Sequence, residues 1–415
     1  MAFFRSLHKV LPCSVQHRPR HLLTMSSHRF QSTQAIEEET LPFYEHEQYY
    51  PVHIGEVFSS RYKVIGKLGY GAYSTVWLCR DLSGHEYMAL KISIQLEKFP
   101  RKGQVELNIY DHLRNTESSH RGRRYIRPVH DAFEIAGPHG RHQCLVQPPM
   151  HLSIFDMLKL NPEPLNAPLL KHTLKLLLDA LDFLHTEARL VHTDIKADNL
   201  MLNVADQSIL DDFERAELES PSPRKMIDSS RSIYTSRSFN KPKNGQYGYP
   251  VLCDFGEARL GDVHHTGPFV QPHIYRAPEV TFEMPWGPPV DIWNVGTLIW
   301  DIFEGRHLFN HVLDTSGHYD PFKHMAQVYA LLGPPPKEFI SRSETTAQCF
   351  NANGTWIADQ FERIPETSLE DRETRLEGDD QTQFLIFIRS MLMWMPEQRK
   401  TARELLDDPW LNKDL

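Results

Sequence analysis

The chain has few cysteines, no long apolar run and no excess of basic residues, and each shortage excludes a class of protein. Its five cysteines have no Cys-x-x-Cys spacing, which indicates a reducing compartment without a disulfide framework or a structural zinc site. No run of 18 apolar residues occurs, so no membrane span is expected. The formal net charge of −9 is not that of a protein that binds nucleic acid through bulk charge.

The composition that is present suits one large folded chain. Hydrophobic residues make up 40% of the 415 residues, which is enough for a substantial core. A mildly acidic protein also suits basic partners.

The most informative stretch is residues 190–202, which contains Asp194, Lys196 and Asn199. It resembles the H-R-D-x-x-x-x-N catalytic loop of protein kinases, with Thr193 in place of the arginine. Asp194 could accept the proton of an attacking hydroxyl, and Asn199 could hold a Mg²⁺ ion. Lys196 lies between them, where a cation can stabilise the transferring phosphoryl group.

A glycine-rich stretch precedes this loop by more than a hundred residues and lies between two β-like runs. It resembles the phosphate-covering loop of protein kinases, in which glycines let backbone N–H groups approach phosphates and a valine covers the adenine. An ordinary hairpin turn is the alternative for such a short pattern. The predicted ATP-binding residues in it are Leu68, Gly69, Gly71, Ser74 and Val76.

A Met-Ala-Leu-Lys sequence follows and resembles the kinase V-A-I-K strand, so Ala89 and Lys91 join the predicted ATP site. Lys91 would contact the α- and β-phosphates and needs a carboxylate partner from the next helix. Glu106 is the preferred partner. Glu97 is only six residues from Lys91 and is expected to precede the helix.

Two further tripeptides complete the series of motifs that resemble those of protein kinases. Asp254 opens an Asp-Phe-Gly sequence after an apolar run and would bridge Mg²⁺ to the phosphates. Glu279 closes an Ala-Pro-Glu sequence, and Arg399 is placed to pair with it. The ordered series predicts an α+β, bilobal protein kinase fold. Its small lobe would hold an antiparallel β-sheet and one helix, and its large lobe would be helical.

Two other functions would account for part of these motifs. A pseudokinase scaffold would bind nucleotide without turnover, but Lys91, Asp194, Asn199 and Asp254 are all intact. A small-molecule kinase would share the catalytic loop, but it would lack the Ala-Pro-Glu segment. The favoured interpretation is an active protein kinase with ATP and Mg²⁺ as cofactors.

Several segments sharpen the resemblance to the SR-protein kinases. These are residues 51–58, the H-T-D-I-K variant around Thr193, and the 55 positions that separate Asn199 from Asp254. Membership would imply a serine/threonine kinase of the CMGC type that acts on Arg/Ser-rich segments, and Arg276 fits that branch. The same resemblance makes Gln147 the gatekeeper of the hinge and assigns adenine contacts to the Pro148 carbonyl and the Met150 N–H.

Two departures from the family pattern matter. The stretch at 318–324, acidic in the family, holds one carboxylate, Asp320, and one lysine; a later acidic run at 370–380 could replace it. Thr193 replaces the arginine that gathers phosphate on the activation loop, where only Thr266 and Tyr275 carry hydroxyls. We therefore predict activity without activation-loop phosphorylation.

The predicted organisation begins with a basic arm or transit peptide at 1–40 and a lead-in segment at 41–60. The kinase domain covers 61–412, with its small lobe at 61–148 and its large lobe at 149–412. A stripe of leucines between 170 and 184 predicts a long buried helix before the catalytic loop.

An insertion at 206–245 is the least typical part of the predicted domain. Its portion from 217 to 243 is rich in Ser, Pro, Lys and Arg, and we predict that it is disordered. Two Ser-Arg-Ser sequences, at 230–232 and 236–238, make autophosphorylation a hypothesis.

The first 36 residues carry five basic residues and no acidic one, which is typical of a mitochondrial transit peptide. A disordered basic tail and a start at Met25 are the alternatives, and the family resemblance implies cytoplasm and nucleus. We expect a monomer that acts on a basic protein substrate without direct nucleic-acid contact.

Overall fold

The small lobe is built on a six-stranded antiparallel sheet. The structure is a computed structural model that describes residues 34–98, 100–161, 163–243, 245–264 and 270–413, so Thr266 and nearly all of the predicted transit peptide lie outside the described residues. The sheet has the strand order β1-β2-β3-β4-β6-β5. Its strands are β1 (Val57–Phe58), β2 (Tyr62–Gly71), β3 (Ser74–Asp81), β4 (Tyr87–Ser93), β5 (Asp131–Ala136) and β6 (Arg141–Gln147).

Alternating burial shows why these strands form. On one face of the sheet Trp77, Cys79, Leu90 and Ile92 pack into a core of their own. Helix α1 (Pro100–Asn115) connects β4 to β5, and its Ile109 belongs instead to the main core of the large lobe. The small lobe is therefore joined to the large one through α1.

The large lobe is helical and surrounds one extensive core. Its helices before the insertion are α2 (Ile154–Leu160) and α3 (Ala167–Thr186). Those after it are α5 (Pro278–Thr281), α6 (Pro289–Ile299), α7 (Pro321–Leu332), α8 (Lys337–Ile340), α9 (Leu369–Arg372), α10 (Gly378–Arg389), α11 (Ala402–Leu406) and α12 (Pro409–Asn412). A π-helical turn, Trp300–Glu304, continues α6. The bilobal α+β fold predicted from the sequence is confirmed.

Helix α3 is the long buried helix that the leucine stripe predicts. Asn166 caps its start by accepting a hydrogen bond from the Leu169 N–H at 3.0 Å. The helix ends at Thr186, four residues before the catalytic loop region opens at Leu190. All six leucines of the predicted stripe are buried, namely Leu170, Leu174, Leu177, Leu178, Leu181 and Leu184. The prediction of a core helix is confirmed.

Short strands hold the segments on which the chemistry depends. The strands β7 (Met150–Ser153), β9 (Leu200–Asn203) and β12 (Pro250–Leu252) form a small sheet in the order β12-β9-β7. The strands β8 (Leu190–Val191) and β13 (Arg259–Leu260) form a second pair. Because β8 and β9 flank the predicted catalytic loop, and β12 and β13 flank the Asp-Phe-Gly sequence, the two pairings hold these segments together.

The insertion is folded, so the prediction of disorder for residues 217–243 is wrong. It contains helix α4 (Ser208–Glu219) and a hairpin of β10 (Arg224–Met226) and β11 (Ser232–Tyr234). Ile209, Leu210 and Phe213 of α4 pack against the small lobe. Its basic residues also have partners: Lys225 contacts Glu39, and Arg237 contacts Glu217. The prediction from composition assumed that these charged side chains are solvated, whereas in the folded protein they form ion pairs.

The lead-in and the residues before it pack on the same side as the hairpin. Lys67 of β2 is fully buried and forms an ion pair with Glu38. The Arg231 guanidinium, also buried, donates to the Tyr49 carbonyl at 2.7 Å. We call residues 34–50 and 224–237 together the clamp, because they hold each other against the small lobe. None of the described helices is long and apolar enough to cross a membrane.

Candidate active site

Three predicted site residues meet at the centre of the cleft. The Lys91 ammonium of β4 lies 2.7 and 2.8 Å from the two carboxylate oxygens of Glu106 on α1. It also lies 3.2 Å from Oδ1 of Asp254. The alternative partner, Glu97, instead accepts a hydrogen bond from the Arg141 N–H at 2.9 Å. The structure thus brings Lys91 together with Glu106 rather than with Glu97.

The Lys91 ammonium and the Asp254 carboxylate each stabilise the charged form of the other. Burial opposes the charge on Lys91, but the carboxylates of Asp254 and Glu106 outweigh it and raise the Lys91 pKa. The same ammonium holds the pKa of Asp254 well below its usual range. Asp254 is therefore an anion across the physiological pH range, and about half of its side chain, 49%, is exposed to the cleft.

The catalytic-loop residues form a second group. Lys196 donates to Oδ2 of Asp194 at 2.8 Å. The Asn199 amide nitrogen donates to the same oxygen and to the Asp194 backbone carbonyl, both at 2.8 Å. Burial raises the pKa of Asp194, and the charge of Lys196 opposes that rise. Asp194 is thus a positioned carboxylate with a higher proton affinity than an exposed aspartate.

The orientation of Asn199 bears on metal binding. Both of its described bonds use the amide nitrogen, so its carbonyl oxygen is directed away from Asp194. The exposed carboxylate of Asp254 is the second oxygen donor of the cleft. Oxygen donors of this kind are the ligands that Mg²⁺ prefers, usually together with substrate phosphates and water. The residues present therefore fit a divalent metal.

Buried hydrogen bonds set the backbone of the catalytic loop. Asp291 of α6 accepts from the N–H groups of His192 and Thr193, both at 2.8 Å. The Thr193 hydroxyl donates to the Glu257 carbonyl at 2.7 Å. Thr193 and Asp254 both have positive φ, 67° and 64°, a conformation that costs energy outside glycine and persists only when its surroundings enforce it. The threonine thus ties the loop directly to the segment after Asp254.

The Phe255 ring packs in the main core and so anchors the Asp-Phe-Gly sequence. It is fully buried, with its centroid 4.9 Å from the His192 ring and 5.4 Å from the Tyr110 ring. Tyr110 lies one helical turn beyond Glu106 on α1. The packing therefore links the position of Asp254 to that of the helix that supplies the Lys91 partner.

The glycine-rich loop is the turn between β2 and β3. Gly71 pairs with Ser74, and Gly69 pairs with Val76. Apart from the adjacent residues, no atom of the described part of the chain lies within 4 Å of the place where a Cβ would stand at Gly69 or Gly71, and neither residue has positive φ. The fold itself does not require glycine here, which leaves close approach of a ligand as the physical reason for it.

The other predicted nucleotide contacts line the underside of the sheet. Val76 pairs with Lys91 across β3 and β4, and Ala89 pairs with Gln147 across β4 and β6. Leu68 is partly buried and packs against the cluster that holds helix α4. The Tyr49 hydroxyl from the clamp reaches the tip of the loop, where the Gly71 and Ala72 carbonyls lie 3.2 and 3.1 Å away.

The hinge contains a contact that sequence reasoning missed. Gln147 is buried and donates to the Tyr110 hydroxyl at 3.0 Å. The carbonyl of Pro148, predicted to face adenine, accepts hydrogen bonds from the Arg127 guanidinium at 3.1 and 2.7 Å. Met150 follows at the start of β7. No local pattern in the sequence singles out Arg127, which precedes β5 by four residues.

The activation segment ends in a buried ion pair. Arg399 contacts the two oxygens of Glu279 at 2.6 and 2.7 Å, with side chains 0% and 1% exposed. This is the pair that the sequence predicts. It connects the Ala-Pro-Glu sequence to a residue 120 positions later.

A second unpredicted residue, Gln271, holds the segment before that pair. Its amide nitrogen donates to the Val290 carbonyl at 2.9 Å, and its side-chain oxygen accepts from the Ala277 N–H at 2.9 Å. Arg276, which is buried, donates to the Gln271 carbonyl at 3.0 Å. Hydrogen bonds from the Gln271 side chain and from the Arg276 guanidinium therefore shape this part of the segment.

The acidic positions considered for substrate docking have structural partners. The Asp320 carboxylate caps helix α7 by accepting from the Phe322 N–H at 2.9 Å. In the later acidic run, Glu370 pairs with Arg389, and Asp380 pairs with Lys413, each at 2.7 Å.

Comparison with known proteins agrees with this geometry. The protein kinase domain family matches residues 62–411. A serine/threonine protein kinase of Aspergillus fumigatus is 44% identical over 395 residues, which cover 95% of each chain. The serine/threonine-protein kinase SRPK of Physarum polycephalum is 29% identical over 402 residues, 90% of this chain and 91% of the other. SRSF protein kinase 3 of Mus musculus is 25% identical over 509 residues, 88% of each chain. The chain therefore belongs to the protein kinase family, as a serine/threonine kinase similar to the SR-protein kinases.

Proposed function

We propose that this kinase transfers the γ-phosphoryl group of ATP, in the presence of Mg²⁺, to serine hydroxyls in basic, Arg/Ser-rich protein segments. The observation that carries the proposal is the closed group of Lys91, Glu106 and Asp254. It joins a strand, a helix and the Asp-Phe-Gly sequence through contacts of 2.7 to 3.2 Å. Such a group holds triphosphate and metal against the catalytic loop.

The phosphate-binding and proton-accepting roles are divided between the two groups. Lys91 contacts the α- and β-phosphates beneath Gly69 and Gly71. Asp194 orients the serine hydroxyl and takes its proton as the oxygen bonds to phosphorus and the ADP oxygen leaves. Lys196, 2.8 Å from Asp194, offers its charge to the phosphoryl oxygens during transfer.

Asn199 and Asp254 are the residues that would hold Mg²⁺. Their available oxygens are a neutral amide carbonyl and a carboxylate that Lys91 keeps ionised. When bound there, the ion would supply positive charge that neutralises phosphate oxygens. The described bonds of the Asn199 side chain use its amide nitrogen, which leaves its carbonyl oxygen available, and the Asp254 carboxylate is about half exposed.

Basic substrates are favoured by the charge around the catalytic loop. Asp198, next to Asn199, is exposed, and Asp301 accepts a hydrogen bond from Tyr275. Burial raises the pKa of Tyr275, and the negative charges of Asp301, Asp198 and Asp194 add to that rise, which supports an acidic environment near the catalytic loop. The mouse relative is named as a kinase of SRSF proteins, which agrees with such a substrate.

Peptide phosphorylation tests the proposal directly. The purified chain is incubated with MgATP and three substrates: an Arg/Ser-repeat peptide, the matched Lys/Ser-repeat peptide and a general basic protein. Asp194→Asn serves as the inactive control. We expect transfer that favours the Arg/Ser peptide and disappears in the control variant.

The other outcomes are equally informative. Equal transfer to the Arg/Ser and Lys/Ser peptides, or transfer to the basic protein alone, would retain the kinase and reject the Arg/Ser assignment. Nucleotide binding without transfer would favour a scaffold. The metal is tested by replacing Mg²⁺ with Ca²⁺, which is larger and takes more ligands, at the same ionic strength. Equal rates with the two ions would contradict the assignment of Mg²⁺.

A further inference from the structure

The hinge carbonyl that is predicted to face the adenine is already occupied by an arginine of this chain. Residues 148 and 149 are prolines without N–H groups, so their polar main-chain atoms are carbonyl oxygens. The Pro148 oxygen accepts from both Nε and Nη2 of Arg127, at 3.1 and 2.7 Å. A carbonyl oxygen has two lone pairs, so these two bonds use its accepting capacity.

Arg127 lies beside the nucleotide-binding segments. Its backbone N–H donates to the Leu252 carbonyl at 3.0 Å, two residues before Asp254. Burial raises the pKa of the Cys253 thiol to about 11, and the charge of Arg127 opposes this rise. Arg127 therefore contacts the hinge through its guanidinium and the strand that leads into the Asp-Phe-Gly sequence through its backbone.

Arg127 forms no direct ion pair with a carboxylate of the described residues, by the 4.0 Å limit between nitrogen and oxygen. Its charge still reaches Glu106: burial raises the pKa of Glu106, and Arg127 opposes that rise. Its contact with Pro148 is a bond to a neutral oxygen. An arginine in this situation gains from any further acceptor that a ligand brings.

The hydrogen-bonding groups of purines differ at position 6, which the predicted hinge contact directs at the Pro148 carbonyl. Adenine carries a 6-amino group, which donates, whereas hypoxanthine and guanine carry a 6-oxygen, which accepts. A guanidinium has only donors. A 6-amino group directed at the Pro148 carbonyl must displace Arg127, whereas a 6-oxygen can accept from Arg127 where it lies.

We propose that Arg127 sets the base selectivity of the nucleotide site and admits 6-oxopurine triphosphates as phosphoryl donors beside ATP. The inference rests on the proposed kinase function of the same site. The bond that breaks, the group transferred and the leaving diphosphate are the same with either base. The difference lies only in the groups that contact Arg127 and the hinge.

Steady-state kinetics with ATP and inosine triphosphate test the inference, because the two bases differ only at position 6 and in the proton that hypoxanthine carries on N1. We expect the wild-type protein to use both. We expect Arg127→Val to raise the ratio of kcat/KM for ATP to that for inosine triphosphate about tenfold, the effect of one directed hydrogen bond. Arg124→Val is the matched control, since Arg124 is an exposed arginine that bonds to the Arg121 carbonyl, and its ratio should not change.

A wild-type protein that uses ATP but not inosine triphosphate would overturn the inference. So would an Arg127→Val variant whose nucleotide ratio equals that of wild type. If no nucleotide supports transfer, the proposed function fails, and selectivity is then measured from binding of the two nucleoside diphosphates. An unchanged binding ratio in Arg127→Val would reject the role of Arg127 independently of turnover.

Discussion

The buried pair of Glu279 and Arg399 gives the sharpest prediction for stability. Both side chains are almost fully removed from solvent, at 1% and 0% exposure, and the contact is bidentate at 2.6 and 2.7 Å. Glu279→Gln keeps the size of the side chain but leaves the Arg399 charge without its anion. Removing one partner of a buried pair costs about 3–5 kcal/mol.

The chain also contains a matched control. Glu397 pairs with Arg342 on the surface, with side chains 53% and 31% exposed. Solvent screens this pair, so Glu397→Gln should cost no more than about 1 kcal/mol. The two variants make the same chemical change, and they differ in the burial of the arginine that is left behind.

The assay is equilibrium unfolding in urea, followed by tryptophan fluorescence. The Arg399 guanidinium lies 5.0 Å from the centroid of the Trp293 ring, so the signal includes the site of the change. We expect Glu279→Gln to lose about 3–5 kcal/mol of unfolding free energy relative to wild type. The double variant Glu279→Gln/Arg399→Met should regain part of the loss, because it removes the unpaired charge.

Two results would refute this reasoning. If Glu279→Gln and Glu397→Gln lost the same free energy, burial would not be the cause of the cost. If the double variant were less stable than Glu279→Gln alone, the remaining arginine would stabilise the fold through its bonds to the Met393 and Pro289 carbonyls, at 2.9 and 3.0 Å, and its charge would not be the dominant cost.

Three further predictions concern activity. Burial raises the Asp194 pKa, and the charge of Lys196 opposes the rise. We therefore expect kcat to fall as the pH is lowered through a value above the pKa of an ordinary aspartate. Lys196→Met should move this acid limb of the pH profile to higher pH. Phosphatase treatment should leave activity intact. Gln271→Ala should lower kcat/KM about tenfold, because the substitution leaves the Ala277 N–H and the Val290 carbonyl without their partner. Tyr49→Phe should raise the KM for ATP several-fold by freeing the Gly71 carbonyl.

Each of these three has a contradicting outcome. An acid limb that stays in place in Lys196→Met would separate that lysine from the proton acceptor. Activity lost on phosphatase treatment, with Gln271→Ala behaving as wild type, would mean that phosphate and not Gln271 shapes the segment. A Tyr49→Phe variant with unchanged KM and lowered thermal stability would limit the clamp to a structural role.

The parts of the fold that were predicted correctly are those with short, local signals. The leucine stripe of α3 follows the helical period, and all six of its leucines are buried. The family resemblance rested on motifs whose spacing is a property of the chain alone, and it is confirmed. The roles assigned to Lys91, Asp194 and Asn199 stay predictions, although the structure brings each of them to the cleft.

The errors and omissions share one physical cause. Residues 217–243 are rich in charge, and composition counted that charge as solvated; in the fold, Arg231 is buried and Arg237 contacts Glu217. Arg127 and Gln271 lie outside every motif, since their contacts are made with carbonyl groups of distant segments. Such contacts leave no period or spacing in the chain.

The sequence by itself determined the protein class, the order of the catalytic elements and the bilobal fold, because these depend on residue types at fixed intervals. Only the tertiary structure decided which carboxylate pairs with Lys91, how the insertion folds against the small lobe, and that Arg127 engages the hinge carbonyl. The reason is that ion pairs and hydrogen bonds depend on distances of a few ångströms, and the separation of residues along the chain does not set those distances.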